Sequence, residues 1–253
     1  MRLKGKAALI TGGGTGMGRA MSLKFAAEGC DIAINYSRRQ AEAEATAAAA
    51  RQSGVKAYAI KADVSKDAEA RRLVAEAVAQ LGRLDILVNN AGWSKYVPHA
   101  DLEGLTEEIL QRTLAVNTLG PLYVTRAAIP HMLKQGGGRI INTTSIAAYQ
   151  GAGSSVIYGG SKAALAAMTK SLARAFGRQN ILVNAIAPGL VDTGFVDWPR
   201  EVFEKGARSN PIGRNPTPED VANAALYLAA DATGITAQTI FVDGGITTLH
   251  PAG

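Results

Sequence analysis

Short apolar runs alternate with helical patterns along the whole chain, and this rhythm narrows the fold more than any other feature. Ala7–Thr11 reads as a strand and Gly16–Glu28 as a helix. Asp31–Tyr36 and Arg38–Ser53 repeat the pair, as do Lys56–Ala62 and Asp67–Leu81. Leu84–Asn89 precedes a long helical pattern over Thr106–Gln135, and Arg139–Thr144 precedes a helix through Tyr158 to about Phe176. Ile181–Ala187 and Thr239–Val242 close the series. Between them the helix Pro218–Ala230 has a marked start: Thr217 as N-cap, Pro218 at the first position, Asp220 in the capping-box place. Strands that are apolar almost throughout, each followed by a helix, imply parallel pairing with helices over both sheet faces. No linker, composition break or internal repeat divides the chain, so the expectation is one α/β domain over residues 1–253 with about seven parallel strands. Thr193–Asn215 breaks the rhythm. It is rich in Pro, Gly and charge, carries Phe195, Trp198 and Phe203, and reads as a substrate loop or lid, or else as a surface insertion.

Composition excludes several classes. Hydrophobic residues make up 47% of the chain and charged residues 19%, which supports a sizeable core and argues against disorder. No run of about 18 apolar residues is present to span a membrane. Basic residues precede the first apolar run, but that run ends in glycines after Thr11 and is a strand, not a signal peptide. The single cysteine, Cys30, allows no internal disulfide and fits a reducing cytoplasm. The net charge of +6 comes from 27 basic and 21 acidic residues, yet Lys and Arg are scattered, with pairs only at Arg38-Arg39 and Arg71-Arg72. Without a basic stripe interleaved with aromatics, nucleic acid ranks low as a partner. A phosphorylated cofactor or an acidic carrier suits that balance better. No His/Asp/Glu cluster suggests a metal, and His99 reads as a loop residue.

Two stretches carry chemistry. The first strand runs into T-G-G-G-T-G-M-G, Thr11 to Gly18, and then a helix. Gly12, Gly16 and Gly18 permit a tight turn and close backbone approach, and the helix N-terminus offers N–H groups to a phosphate. The second stretch is Ser145 to Lys162. Tyr158 and Lys162, at i and i+4, share a helix face. Free Tyr titrates near ~10 and free Lys near ~10.4. A cation held beside the phenol favours phenolate and makes Tyr158 usable as an acid or base near neutral pH.

The ordered set is more specific than either part. T-G-x-x-x-G-x-G is followed by N-N-A-G at Asn89–Gly92, Asn117, Ser145, Y-x-x-x-K at Tyr158 and Lys162, and Pro188-Gly189. Over essentially the whole chain this resembles the short-chain dehydrogenase/reductase family, whose fold is a doubly wound sheet of the Rossmann type. The 3-oxoacyl-carrier-protein reductase branch is the nearest in look, through N-Y-S at the end of the second strand and V-D-G-G at Val242–Gly245. The resemblance implies that Tyr158 is the general acid for ketone reduction and the base for alcohol oxidation. Lys162 would lower the Tyr158 pKa and bind the nicotinamide ribose; a lowering by roughly three pH units is worth about 4 kcal/mol. Ser145 would hold the substrate oxygen, and Asn117 a water that feeds protons to Lys162. One departure is Gly159-Gly160 between the tyrosine and Ser161-Lys162, where each glycine weakens a helix by about 1 kcal/mol relative to Ala.

The end of the second strand reads I-N-Y-S-R-R, without a carboxylate for ribose hydroxyls. Ser37, Arg38 and Arg39 could meet a 2′-phosphate instead, so NADP(H) is the expected cofactor. An NAD-dependent alcohol dehydrogenase of the same family is the alternative. A cofactor-binding regulator without turnover is the rival from another class; it would be expected to have lost Ser145, Tyr158 or Lys162. Gly12, Gly14, Thr15, Gly16, Met17 and Gly18 would cradle the cofactor, with Asp63 and Val64 at the adenine. Asn90, Ala91 and Gly92 would line it, and Pro188, Gly189, Leu190, Val191 and Thr193 would flank the nicotinamide. Trp93, Ile146, Tyr149, Gln150, Phe195 and Trp198 form the expected pocket for a hydrophobic ketone or secondary alcohol, an acyl-carrier thioester included. Small and apolar residues on several faces of the helices at Thr106–Gln135 and Ser155–Phe176 suggest partner contacts, and family resemblance makes these the dimer helices of a homotetramer.

Overall fold

The computed structural model of the chain describes residues 1–196 and 198–249. Residue 197 of the expected lid and residues 250–253 of the expected domain lie outside the described residues. In chain order the elements begin β1 (Ala7–Ile10), α1 (Gly16–Ala27), β2 (Asp31–Tyr36), α2 (Gln40–Arg51), β3 (Ala57–Lys61), α3 (Asp67–Leu81) and β4 (Ile86–Asn89). They continue with α4 (Glu107–Leu114), α5 (Gly120–Lys134), β5 (Gly138–Thr143), α6 (Ala147–Gln150), α7 (Val156–Phe176), β6 (Ile181–Pro188), α8 (Arg200–Ser209), α9 (Pro218–Ala230) and β7 (Thr239–Val242).

The seven strands form one parallel sheet in the order β3-β2-β1-β4-β5-β6-β7. Alternation along each strand sends residues to opposite faces. From β1, Ala8 and Ile10 enter one core with Met21 and Phe25 of α1 and Val221 and Leu226 of α9. Ala7 and Leu9 enter the other, with Leu73 and Val74 of α3 and Ala128 and Met132 of α5. Both faces are thus dry, which is why the strands read as unbroken apolar runs. Chain order reverses between β1 and β4, so the connections after these two strands diverge to opposite faces. They leave a crevice at the carboxyl ends of the strands, where such sheets bind ligands.

The expected long helix at Thr106–Gln135 is three pieces. Ala115–Leu119 is a π-helical turn between α4 and α5, and Asn117 sits fully buried within it. The helix around Tyr158 begins at Val156, with the Ser155 side chain accepting from the Tyr158 N–H at 3.3 Å. Gly159 and Gly160 do not interrupt it. A Cβ on Gly159 would come 3.1 Å from the Ala147 carbonyl, whereas one on Gly160 would meet nothing within 4 Å. The first glycine therefore lets α6 lie close to α7. At α9 the capping box is complete: Asp220 N donates to Thr217 Oγ1 at 3.2 Å and Thr217 N to Asp220 Oδ2 at 2.8 Å.

Candidate active site

The glycine loop between β1 and α1 is clamped by the end of β4. Thr11 Oγ1 accepts from the N–H groups of Asn90 and Ala91 at 2.9 and 3.0 Å, and Asn90 Nδ2 donates to the Thr11 carbonyl at 3.0 Å. Asn35, at the end of β2, accepts from Gly12 N at 3.3 Å and donates to the Ala62 carbonyl at 3.0 Å. Gly12 and Gly16 hold left-handed φ values of 61° and 50°, which glycine adopts without strain. A Cβ on Gly12 would lie 3.1 Å from Ala91 Cα. Thr15 precedes α1 in an extended conformation and its hydroxyl does not cap the helix. The first-turn N–H groups of α1, on Gly16, Met17 and Gly18, therefore face the crevice without a side-chain acceptor. That is a phosphate cradle in both geometry and dipole sign.

A cleft of about 360 Å³ runs from this loop across the strand ends. At one end lie Ser37, Arg38, Arg39, Asp63 and Val64; in the middle Gly12, Gly14, Thr15, Gly16, Met17 and Gly18; then Asn90, Ala91 and Gly92; and at the far end Tyr158, Lys162 and Thr193. None of the ion pairs among the described residues includes Arg38 or Arg39. Among the described residues Asp63 is the one carboxylate lining this cleft, and it is already engaged: Oδ2 meets Arg112 Nη1 at 3.1 Å and Oδ1 accepts from Ser65 Oγ at 2.6 Å. Burial opposes its ionisation, but these bonds outweigh burial and hold it below the usual carboxylate range. The residues present fit a nicotinamide dinucleotide: an uncapped helix N-terminus for the pyrophosphate, and unpaired arginines where the adenosine ribose would lie.

A second cavity of about 300 Å³ opens beside the first, and Met17, Thr144, Tyr158, Thr193 and Phe195 line both. Ser145, Ile146, Pro188, Gly189, Leu190, Val191 and Trp198 line only the second. Tyr158 thus stands where the cavities meet, with Ser145 on one side and Lys162 on the other. The Phe195 ring lies against the Tyr158 ring, 6.2 Å between centroids. Trp198 packs edge-on against Tyr96 at 5.0 Å, so the segment before α8 rests on the loop after β4.

Not every expected residue faces these cavities. Trp93 lines the cofactor cleft, not the second cavity. Tyr149 and Gln150 line neither. Tyr149 donates to Thr239 Oγ1 at 3.2 Å and packs on Phe241, while Gln150 donates to the Ile246 carbonyl and Thr247 Oγ1. Spacing after β5 placed them at the strand ends, but the short helix α6 turns both toward β7 and the chain end. Asn117 Nδ2 donates to the Trp93 carbonyl at 2.9 Å and Ser161 Oγ at 3.1 Å, and its Oδ1 accepts from Trp93 N at 2.8 Å. Both side-chain protons are used, and the side chain fixes the loop after β4 to α7. Asn35, Tyr36 and Arg112 line the cleft as well, though none was expected as a cofactor residue. A buried asparagine in an otherwise apolar strand was the available signal for Asn35; Arg112 had none.

Burial shifts both Tyr158 and Lys162. Lys162 is buried, and its Nζ donates to the Thr143 carbonyl at 2.8 Å. Burial lowers it to about 8. Burial pushes Tyr158 up to about 12, with the Ser145 hydroxyl pulling the other way. Burial outweighs the Ser145 hydroxyl at Tyr158, and Lys162 Nζ lies 5.9 Å from the Tyr158 ring centroid.

With crevice, glycine cradle and Ser–Tyr–Lys geometry in place, the protein defines itself as a nucleotide-binding α/β oxidoreductase. Residues 12–247 match the family model described as enoyl-(acyl carrier protein) reductase, and the chain belongs to the short-chain dehydrogenase/reductase family. It is 42% identical over 241 residues to "Granaticin polyketide synthase putative ketoacyl reductase 2" of Streptomyces violaceoruber, covering 94% of each chain. It is 39% identical to general stress protein 39 of Bacillus subtilis, over 96% of this chain and 85% of that one. Among solved structures, levodione reductase superposes with a TM-score of 0.92 at 28% identity, over 98% of this chain and 100% of that one. A 7α-hydroxysteroid dehydrogenase complexed with NADH and 7-oxo glycochenodeoxycholic acid superposes with a TM-score of 0.89 at 32% identity, over 96% and 95%.

Proposed function

We propose that the protein is an NADP(H)-dependent carbonyl reductase acting on a hydrophobic ketone, with Tyr158 as general acid. The observation that carries this reading is the position of Tyr158: it lines both the dinucleotide cleft and the apolar cavity that holds Ser145. A substrate oxygen bound there would take one hydrogen bond from Ser145 and one from Tyr158. When bound, the nicotinamide supplies the hydride. Ser145 and Tyr158 orient the carbonyl and stabilise charge growing on its oxygen, and Tyr158 delivers the proton. Lys162, held by Thr143, lies beside the phenol and steadies its negative charge once the proton has left. Lys162 would also hold the nicotinamide ribose when the cofactor is bound.

The choice of NADP(H) rests on Ser37, Arg38 and Arg39, which line the adenosine end of the cleft where NAD enzymes place a carboxylate. The hydroxysteroid dehydrogenase relative is complexed with NADH, so the reading of NADP(H) for this chain rests on these residues and not on that likeness. The relatives named for ketoacyl, levodione and hydroxysteroid substrates all act on carbonyl or secondary-alcohol centres, and the same reaction class is proposed here. A homotetramer in the cytoplasm completes the reading. No helix among the described residues is long and apolar enough to cross a membrane.

NADPH oxidation with a panel of ketones and a 3-oxoacyl thioester, on wild type and Tyr158→Phe, tests the proposal. Loss of at least about a hundredfold in Tyr158→Phe is expected. Equal rates would remove Tyr158 from its role.

A further inference from the structure

The cavity beside Tyr158 is apolar over most of its wall, and among the described residues no Lys, Arg, His, Asp or Glu lines it. Its hydroxyls are those of Thr144, Ser145, Ser154, Tyr158 and Thr193. Ser145 and Tyr158 belong to the reacting centre, Thr193 is shared with the cofactor cleft, and Thr144 Oγ1 is spent on the Ile186 carbonyl at 2.9 Å. Ser154 is different. It is 3% exposed and pinned by its main chain, whose carbonyl accepts from Val97 N at 2.8 Å. Its hydroxyl is hydrogen-bonded to the hydroxyl of Ser94, which lines the neighbouring cleft. Two hydroxyls carry two protons, and the bond between them uses one. The second proton has no other acceptor among the described residues, so this pair retains a donor at the wall of an otherwise greasy cavity.

We propose that Ser154, hydrogen-bonded to Ser94, is a specificity-determining residue that donates a hydrogen bond to a second oxygen of the substrate, remote from the carbonyl being reduced. The preferred substrate class is then a neutral carbonyl compound bearing a further carbonyl or hydroxyl, ahead of the simple ketone with the same carbon skeleton. The inference rests on the carbonyl-reductase reading above, because it assigns the cavity beside Tyr158 to the substrate. Building the donor from two serines keeps it adaptable, since either hydroxyl can turn to supply the proton while the other accepts.

Equilibrium binding separates this inference from that reading, because it needs no turnover. Cyclohexanone and cyclohexane-1,4-dione are titrated calorimetrically into the enzyme saturated with NADP+. Wild type should bind the dione about tenfold more tightly, beyond the statistical advantage of two carbonyls, as one added neutral hydrogen bond would give. Ser154→Ala should lose that preference while binding cyclohexanone as before. Ser94→Ala, which leaves the Ser154 hydroxyl with its proton free, should keep it. Equal binding of the two ligands by wild type, no binding of the dione, or an unchanged preference in Ser154→Ala would each overturn the inference. Failure of the enzymatic reading would show separately, as NADPH oxidation indifferent to Tyr158→Phe.

Discussion

Lys162 gives its hydrogen bond to the Thr143 carbonyl at the end of β5, 2.8 Å away, and not to Tyr158 four residues earlier. The i,i+4 spacing puts the two on one helix face, but β5 supplies the nearer acceptor. The lysine is poised in a dry site, lowered to about 8 by burial.

This placement predicts a pH dependence. In the free enzyme kcat/KM for ketone reduction should decline above about pH 8, as Lys162 loses its proton. Burial favours the neutral amine, so its contribution to stability is present above about 10.4 and lost as pH falls through about 8. Lys162→Met should therefore raise Tm by a few degrees at pH 6 relative to its effect at pH 10. A Tm difference independent of pH would contradict the buried, depressed amine. Tyr158, pushed up to about 12, should contribute no phenolate absorbance below pH 10 in the cofactor-free protein.

Cofactor preference should depend on Arg38. It lines the cleft, is exposed, and has no acidic partner among the described residues, so it is free to meet a phosphate. Arg38→Ala should weaken NADPH binding by roughly 10- to 100-fold, the range for a charge-assisted hydrogen bond, and leave NADH within about twofold. Fluorescence titration of the two cofactors reads the ratio directly.

The two glycines of α7 should respond in opposite ways to alanine. At Gly160 nothing lies within 4 Å of an added Cβ, and Gly160→Ala should stabilise the fold by about 1 kcal/mol in denaturant melts. At Gly159 the Ala147 carbonyl is only 3.1 Å from the new methyl. The helix-propensity gain is offset there by pushing α6 from α7, so Gly159→Ala should gain nothing and should lower kcat.

At the opposite end of the sheet, Asp85 predicts acid sensitivity. The Ala7 N–H donates to it at 3.0 Å, Arg83 grips both oxygens at 2.6 Å, and Lys6 approaches at 3.3 Å. Burial raises its pKa, but these partners outweigh burial and the net shift is downward. Its stabilisation is complete above about pH 4 and is lost as pH falls through the depressed folded value. Asp85→Asn should cost about 2 kcal/mol at pH 7 and flatten the acid limb of the stability curve. A parallel curve for the variant would place the acid sensitivity elsewhere.

The strands and most helices were legible because each buries a regular face, and burial writes its period into the sequence. The parallel sheet was legible, but its order, β3-β2-β1-β4-β5-β6-β7, was not, because it depends on which distant strands pair. What could not be read depended on single contacts between distant segments. Nothing local to Asn117 announces a π turn, because the turn is held by Trp93 and Ser161, far away in sequence. Tyr149 and Gln150 look like pocket residues from their spacing after Ser145, and only the four-residue helix α6 decides that they turn toward β7. In Thr193–Asn215, Arg200–Ser209 is helical and amphipathic, but it buries no residue fully and is short, so the Pro, Gly and charge around it masked it.

The π turn between α4 and α5 has a consequence for how this protein can change. Such a turn amounts to one extra residue in an otherwise continuous helix. Deleting one position in Ala115–Leu119 would restore regular hydrogen bonding and leave the later residues of α5 facing as they do, because the wide turn takes up its extra residue locally. Val124, Ala128 and Met132 would stay in the core, while Asn117 would lose the place from which it reaches Trp93 and Ser161. The tie between the loop after β4 and α7 therefore hangs on one surplus residue that core packing does not require. Shortening this segment would cost the site before it cost the fold.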